Sequence, residues 1–157
     1  MAWSASKIFM AFIEDVMENT TAMDLNADTF KAALYDNDIT PDQTVTSANS
    51  AYNAGQWVIT GNEVSDGAEW PAGGETLTNP TSTRASNVYT FDADNEVSTG
   101  TSATLAAVFG CLVYDDTIAT PVADQGVCYN YFGGTNSVTD GTFTIVWHAS
   151  GIFAITA

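Results

Sequence analysis

The chain has 157 residues, enough for one domain with its own core, and its 45% apolar and 11% aromatic content is too high for a disordered polymer. Three cations, Lys7, Lys31 and Arg84, face nineteen acidic residues for a formal charge of −16. So few cations cannot displace the counterions of a nucleic acid or hold an anionic lipid surface, which leaves an acidic, solvated exterior and excludes nucleic acid and membrane as expected partners.

Lys7 is followed by six apolar residues before Glu14 and Asp15 interrupt, shorter than the core of an export signal, and no stretch approaches the ~20 apolar residues of a bilayer span. Assembly in the cytosol of the producing cell is the expectation. The first predicted element is a helix over Ser4 to Met17, ~21 Å long at about 1.5 Å per residue. Ile8, Phe9, Phe12, Ile13, Val16 and Met17 form one apolar stripe on it. Ser4 or Ser6 would cap its start, and Asn19 would end it in the left-handed conformation. The stripe has two possible destinations, the chain's own sheet or a neighbouring subunit.

From Asp28 to Tyr35, Phe30, Ala32 and Leu34 alternate with Thr29, Lys31 and Ala33. The composition also suits a helix, but the alternation reads as a strand. Asp36 to Asp42 is a turn cluster in which Pro41 disfavours helix at Thr40. A long polar region then runs to Arg84, with strand-like pieces at Gln56 to Thr60 and Glu75 to Leu77 and a short helix or turn at Ser47 to Asn53. It holds Tyr52, Trp57, Trp70 and the turn Pro71-Ala-Gly-Gly. Tryptophans in such a region either cover the edge of the core or stack on a sugar or protein partner.

Strands become clear from Ser86 onward: Asn87 to Phe91, Ala103 to Tyr114, and Gly126 to Phe132. Ala106 to Tyr114 is apolar on both alternating faces, the pattern of a central strand covered on both sides. In Thr142 to His148 the residues Phe143, Ile145 and Trp147 share one face. Ala149-Ser-Gly151 then turns the chain into Ile152 to Ile155, which predicts a terminal hairpin. The fold class expected is α+β, mostly β: an N-terminal amphipathic helix packed on an antiparallel β-sheet or sandwich, with residues 1–157 as a single domain.

Little in the chain points to catalysis. A symmetric loop over Asp115 to Asp124 would place Cys111 opposite Cys128, within disulfide reach, while cytosolic assembly favours two buried thiols. Two cysteines without a Cys-x-x-Cys or a histidine pair are too few for zinc, and His148 is the one histidine in the chain. Asp24-x-Asn26-x-Asp28 opens like a calcium loop but has Thr29 where glycine is needed and Tyr35 where the closing Glu belongs. Asp92, Asp94 and Glu96 form a second acidic cluster. No phosphate-binding glycine motif and no Gly-x-Ser-x-Gly elbow is present. No cofactor, metal or catalytic residue is expected.

The order Trp70-Pro-Ala-Gly-Gly-Glu-Thr-Leu, Tyr89-Thr-Phe-Asp-Ala-Asp, Ala107-Val-Phe-Gly-Cys-Leu-Val-Tyr-Asp-Asp-Thr and Gly141-Thr-Phe-Thr-Ile-Val-Trp-His-Ala-Ser-Gly-Ile-Phe resembles small virion structural proteins of tailed bacteriophages. The likeness reaches back to Asp28-Thr-Phe-Lys-Ala-Ala-Leu-Tyr and the helix. It implies incorporation into a virion and no enzymatic activity, with capsid decoration, minor head and tail roles all within the family. The acidic surface favours an exterior decoration protein, a homotrimer bound to the major capsid protein or another virion protein, with Phe9, Phe12, Trp57 and Trp70 as candidate interface residues. Two rivals are a carbohydrate- or receptor-binding module on a tail or fibre, using Trp57, Trp70, Tyr52 or Tyr131 as platforms, and a depolymerase using some pair of acids.

Overall fold

Alternation along Phe30–Tyr35 determines the layers. Phe30, Ala32 and Leu34 project to one face, Ala33 and Tyr35 to the other, and all five are completely buried, so this strand has cover on both sides. The structure, a computed structural model, describes residues 3–157. In chain order the elements are β1 (Lys7–Ile8), α1 (Met10–Met17), β2 (Phe30–Tyr35), α2 (Ser47–Ser50), β3 (Glu63–Val64), β4 (Glu75–Thr76), β5 (Thr81–Ala85), β6 (Val88–Asp92), β7 (Glu96–Val97), β8 (Ala103–Asp115), β9 (Gly126–Gly141), β10 (Thr144–Ile145) and β11 (Phe153–Thr156).

The main sheet is antiparallel with the order β1-β9-β8-β2-β3, and β4 also pairs with β2. One face carries the three-stranded sheet β11-β6-β5, whose Phe91 ring meets Phe30 at 5.1 Å and Phe153 at 5.4 Å. The opposite face is covered by a cluster of rings around Trp57, with centroids 5.0 Å from Tyr35, 6.0 Å from Trp3 and 6.1 Å from Phe9. Trp3 lies across the bare backbone of Gly110, and its indole N–H donates to the Asp36 carbonyl at 2.6 Å. The fold is thus mostly-β α+β, as expected. The doubly apolar run of β8 is buried without interruption from Gly110 to Asp115, whereas Ala106 and Ala107 at its start are exposed and Phe109 is half-buried.

Several expected elements differ in detail. The helix begins at Met10, because Lys7 and Ile8 pair with Tyr129 and Cys128 as an edge strand and Phe9 holds an extended φ/ψ before the first turn. Ser6 is therefore no cap, and its hydroxyl accepts the Tyr131 N–H instead. Asn19 does take the left-handed conformation, φ 56°, just past the helix. The expected terminal hairpin is absent. β10 pairs with β7 and β11 with β6, and the turn between them closes only a single bridge, His148 to Gly151. The alternation of Phe143, Ile145 and Trp147 still sends all three inward. Gln56 to Thr60 is a loop leading into a turn with Gly61 at φ 112°, and strand β5 lies in the polar region where only Glu75 to Leu77 showed a signal near it. β5 carries polar side chains on a mostly exposed edge, so it has no apolar alternation to reveal it.

The cysteine register is also shifted. A one-residue offset at the loop, Tyr114 facing Gly126, and a one-residue bulge between Val113 and Tyr114 together move the ladder two residues from the symmetric pairing, so Cys111 faces Asn130 and Cys128 faces Val113. The two sulfurs are diagonal neighbours on one face, both free and buried.

Candidate functional site

The apolar stripe of α1 divides at its midpoint. Phe9 and Phe12 turn into the chain's own core, Phe12 against Phe153 at 6.1 Å, while Val16 is 40% and Met17 81% exposed. The second half of the stripe forms one wall of a groove of about 800 Å³, faced by Met23 and Leu25 of the following loop and by Tyr89 and Ile155 of the smaller sheet. A second groove of about 440 Å³ joins it at Ile13 and Phe153 and runs between β1 and β11, past Ile8, Met10 and Ala154. Together they make a partly open apolar furrow on a protein whose formal charge is −16.

Polar bonds hold the walls in place. Asp15 of α1 accepts the Ser47 hydroxyl of α2, the Gln125 amide at 2.8 Å and the Thr20 hydroxyl. Burial alone would raise its carboxyl, but these three bonds outweigh it and keep the group below its ordinary value. The loop wall is a chain of side-chain turns: Asn26 N–H donates to Asp24, Asp24 N–H to Asp28, and Asn26 accepts the Ser82 N–H of β5 at 2.7 Å. The calcium-like triplet is therefore a structural turn, and among the described residues no cluster of His, Cys, Asp or Glu has metal-holding geometry.

The candidate interface residues need correction. Phe9 and Trp70 are fully buried, and Trp57 and Phe12 are 2% and 4% exposed, so none of the four presents a surface to a partner. Apolar area explains the change: a Trp ring gains most by complete desolvation in the core, and the polar sequence around Trp57 and Trp70 hid how deeply each sits. Trp70 packs edge-on to Phe143 at 5.6 Å. Tyr52 stacks on Tyr114, and half-buried Tyr131 lies over Trp3. Of the stacking platforms expected of a carbohydrate module, Trp57 and Trp70 are thus committed to the core, while Tyr52 and Tyr131 are half-buried. Nothing in the sequence pattern marks Trp3 as part of this core beyond an aromatic residue placed ahead of the helical stripe.

The buried acids serve the scaffold. Glu96, 3% exposed, accepts the Thr78 N–H and hydroxyl, and burial foremost raises its carboxyl. Asp94 accepts the Asn79 amide at 2.7 Å, so the second acidic cluster is bound into a turn. Asp115 is completely buried, accepts the Thr117 and Ile118 N–H groups, and is pushed up to about 7, first by burial and then by the neighbouring Asp28 charge. Neither Asp115 nor Asp28 lines either groove. His148 is exposed and its Nδ1 accepts the Ser150 N–H in its own turn.

Comparison with protein-family models, curated proteins and solved structures finds no match for this chain.

Proposed function

We propose that this protein is a non-enzymatic structural component of a bacteriophage virion, a decoration protein that binds the outside of the assembled capsid. The observation that carries the reading is the apolar furrow along α1 and β11 on an acidic, well-packed domain. A decoration protein has to remain soluble when free and then contribute an adhesive surface many times over in a symmetric shell. Charge of −16 keeps the free protein soluble and keeps it away from packaged DNA, which favours an exterior position. Binding to the shell and not to its free subunits lowers the free energy of the assembled state by mass action. The sequence resemblance to small virion proteins of tailed phages supports the same reading, as a homotrimer seated on the major capsid protein or another virion protein.

Mass spectrometry and reconstruction of purified particles from the producing host test it directly. The expected result is the chain on the capsid exterior at a copy number set by the shell's symmetry. Its absence from particles overturns the reading. Light scattering on the purified chain tests the trimer, and a monomer at high concentration removes that part.

A further inference from the structure

The groove beside β11 has a property that apolar lining alone does not give: one of its walls is an open strand edge. β11 pairs with β6 in the register Phe153↔Phe91 to Thr156↔Val88, and Ala157 N–H donates to the Asn87 carbonyl at 2.9 Å in the same register. Hydrogen-bonded pairs in an antiparallel ladder alternate, so Phe153 and Ile155 bond inward to β6 while the N–H and C=O of Ala154 and Thr156 point out from the sheet. Among the described residues these outward groups have no partner. The same alternation leaves the Ile8 backbone pointing outward from β1, across the smaller groove, because Phe9 N–H bonds to the Val127 carbonyl in the β1–β9 register.

The two edges of the smaller sheet differ. β5, the far edge, carries Thr, Ser and Arg84, the kind of polar and charged side chains that discourage a further strand. Phe153-Ala-Ile-Thr has no charge and no proline, and it borders both grooves. An unguarded edge beside an apolar trough fits an extended segment: backbone bonds to the edge supply affinity, and alternate side chains enter the trough.

We propose that β11 is a strand-addition site whose occupant is an extended, basic segment of a partner protein. Its inward side chains are apolar and cover Ile13, Val16, Met17 and Ile155. Its outward side chains are Lys or Arg, because they stand over a domain of charge −16 that has Glu14 and Glu18 on the adjoining helical stretch and Asp24 at the larger groove, against the one cation, Lys7, that lines the smaller groove among the described residues. The same charge disfavours a second copy of this chain. The site rests on the virion reading only for the source of the segment.

The probe is a capped eight-residue peptide of alternating Val and Lys, titrated into the isotope-labelled full chain and followed by NMR and amide exchange. The expected result is saturable binding, with the Ala154 and Thr156 amides slowed at least tenfold in exchange. Ala154→Pro deletes one outward donor and no inward bond, and weakens binding at least tenfold. Ile155→Lys, at a 39% exposed position, does the same by repulsion and serves if the proline variant unfolds. Equal binding of a Val/Glu peptide, no protection at Ala154 and Thr156, or undiminished binding by the variants overturns the proposal. So does self-association of the free chain that protects those two amides. Peptide binding without the chain on particles overturns the virion reading alone. Particle incorporation without peptide binding overturns this docking mode alone.

Discussion

Tyr52 and Tyr114 stack face to face, ring centroids 4.8 Å apart and planes 8° from parallel, joining the irregular middle of the chain to its central strand. Their hydroxyls complete a circuit. Tyr114 donates to the Gly73 carbonyl at 2.8 Å, Tyr52 to the Glu63 carboxylate at 3.0 Å, and Gly73 N–H to the other oxygen of Glu63 at 2.6 Å. Burial first, and nearby carboxylates second, raise both phenols well above their ordinary range, so they remain neutral donors. Tyr114→Phe leaves the Gly73 carbonyl unpaired and is expected to cost about 1–2 kcal/mol in urea unfolding. The Tyr52→Phe, Tyr114→Phe double variant should cost less than the sum of the singles, since both hydroxyls anchor the same turn.

Stability should fall as pH rises from about 4 to about 7 through Asp115. Its folded value, about 7, lies above the ~3.9 of an unfolded aspartate. The folded chain therefore keeps this proton after the unfolded chain has lost it, and the stabilisation is present in acid and gone above the folded value. Asp115→Asn keeps the acceptor for Thr117 and Ile118 and removes the titration. Denaturation midpoints at pH 5 and pH 8 should differ less in the variant than in the parent, and an unchanged difference would assign the effect elsewhere.

Trp57→Ala and Trp70→Ala should behave as core deletions, each costing about 3–5 kcal/mol. The larger loss is expected at Trp57, which meets Trp3, Phe9, Tyr35 and Tyr129, against one ring contact for Trp70. Thermal melting measures this. A stable Trp70→Ala protein with altered glycan binding would instead restore the stacking role.

Neither thiol should react in the native protein. Cys111 and Cys128 are buried, and burial drives both thiols up, so nucleophilic thiolate is scarce at pH 8. A thiol reagent should label both only after denaturation, at the rate of unfolding.

How far the fold was readable from the sequence depended on whether an element's period belonged to one face of one partner. β2 and the inward set of Phe143, Ile145 and Trp147 carry alternation, β8 carries an apolar run on both faces, and β6 lies one residue from its expected span. The pairing of the last two strands was not readable, because a short turn such as Ala149-Ser-Gly favours a hairpin locally and the competing partners Glu96–Val97 and Val88–Phe91 are distant in sequence. The α1 stripe was visible, but not its division between core and groove. Periodicity reports that residues share a face and does not report how long the surface beneath them extends. Trp57 and Trp70 were misplaced because their neighbours are polar, and their burial comes from long-range contacts.

The pairing of β1 with β9 sets an order on biosynthesis. Lys7 and Ile8 leave the ribosome well before the strand they join, which is not made until Cys128 and Tyr129 have emerged. Until then Phe9 and Trp3 lack the ring of Tyr129, so the nascent chain is carried with its aromatic cluster incomplete. A pause or truncation before residue 127 would release a chain with that cluster unfinished, a state suited to capture by chaperones or to clumping.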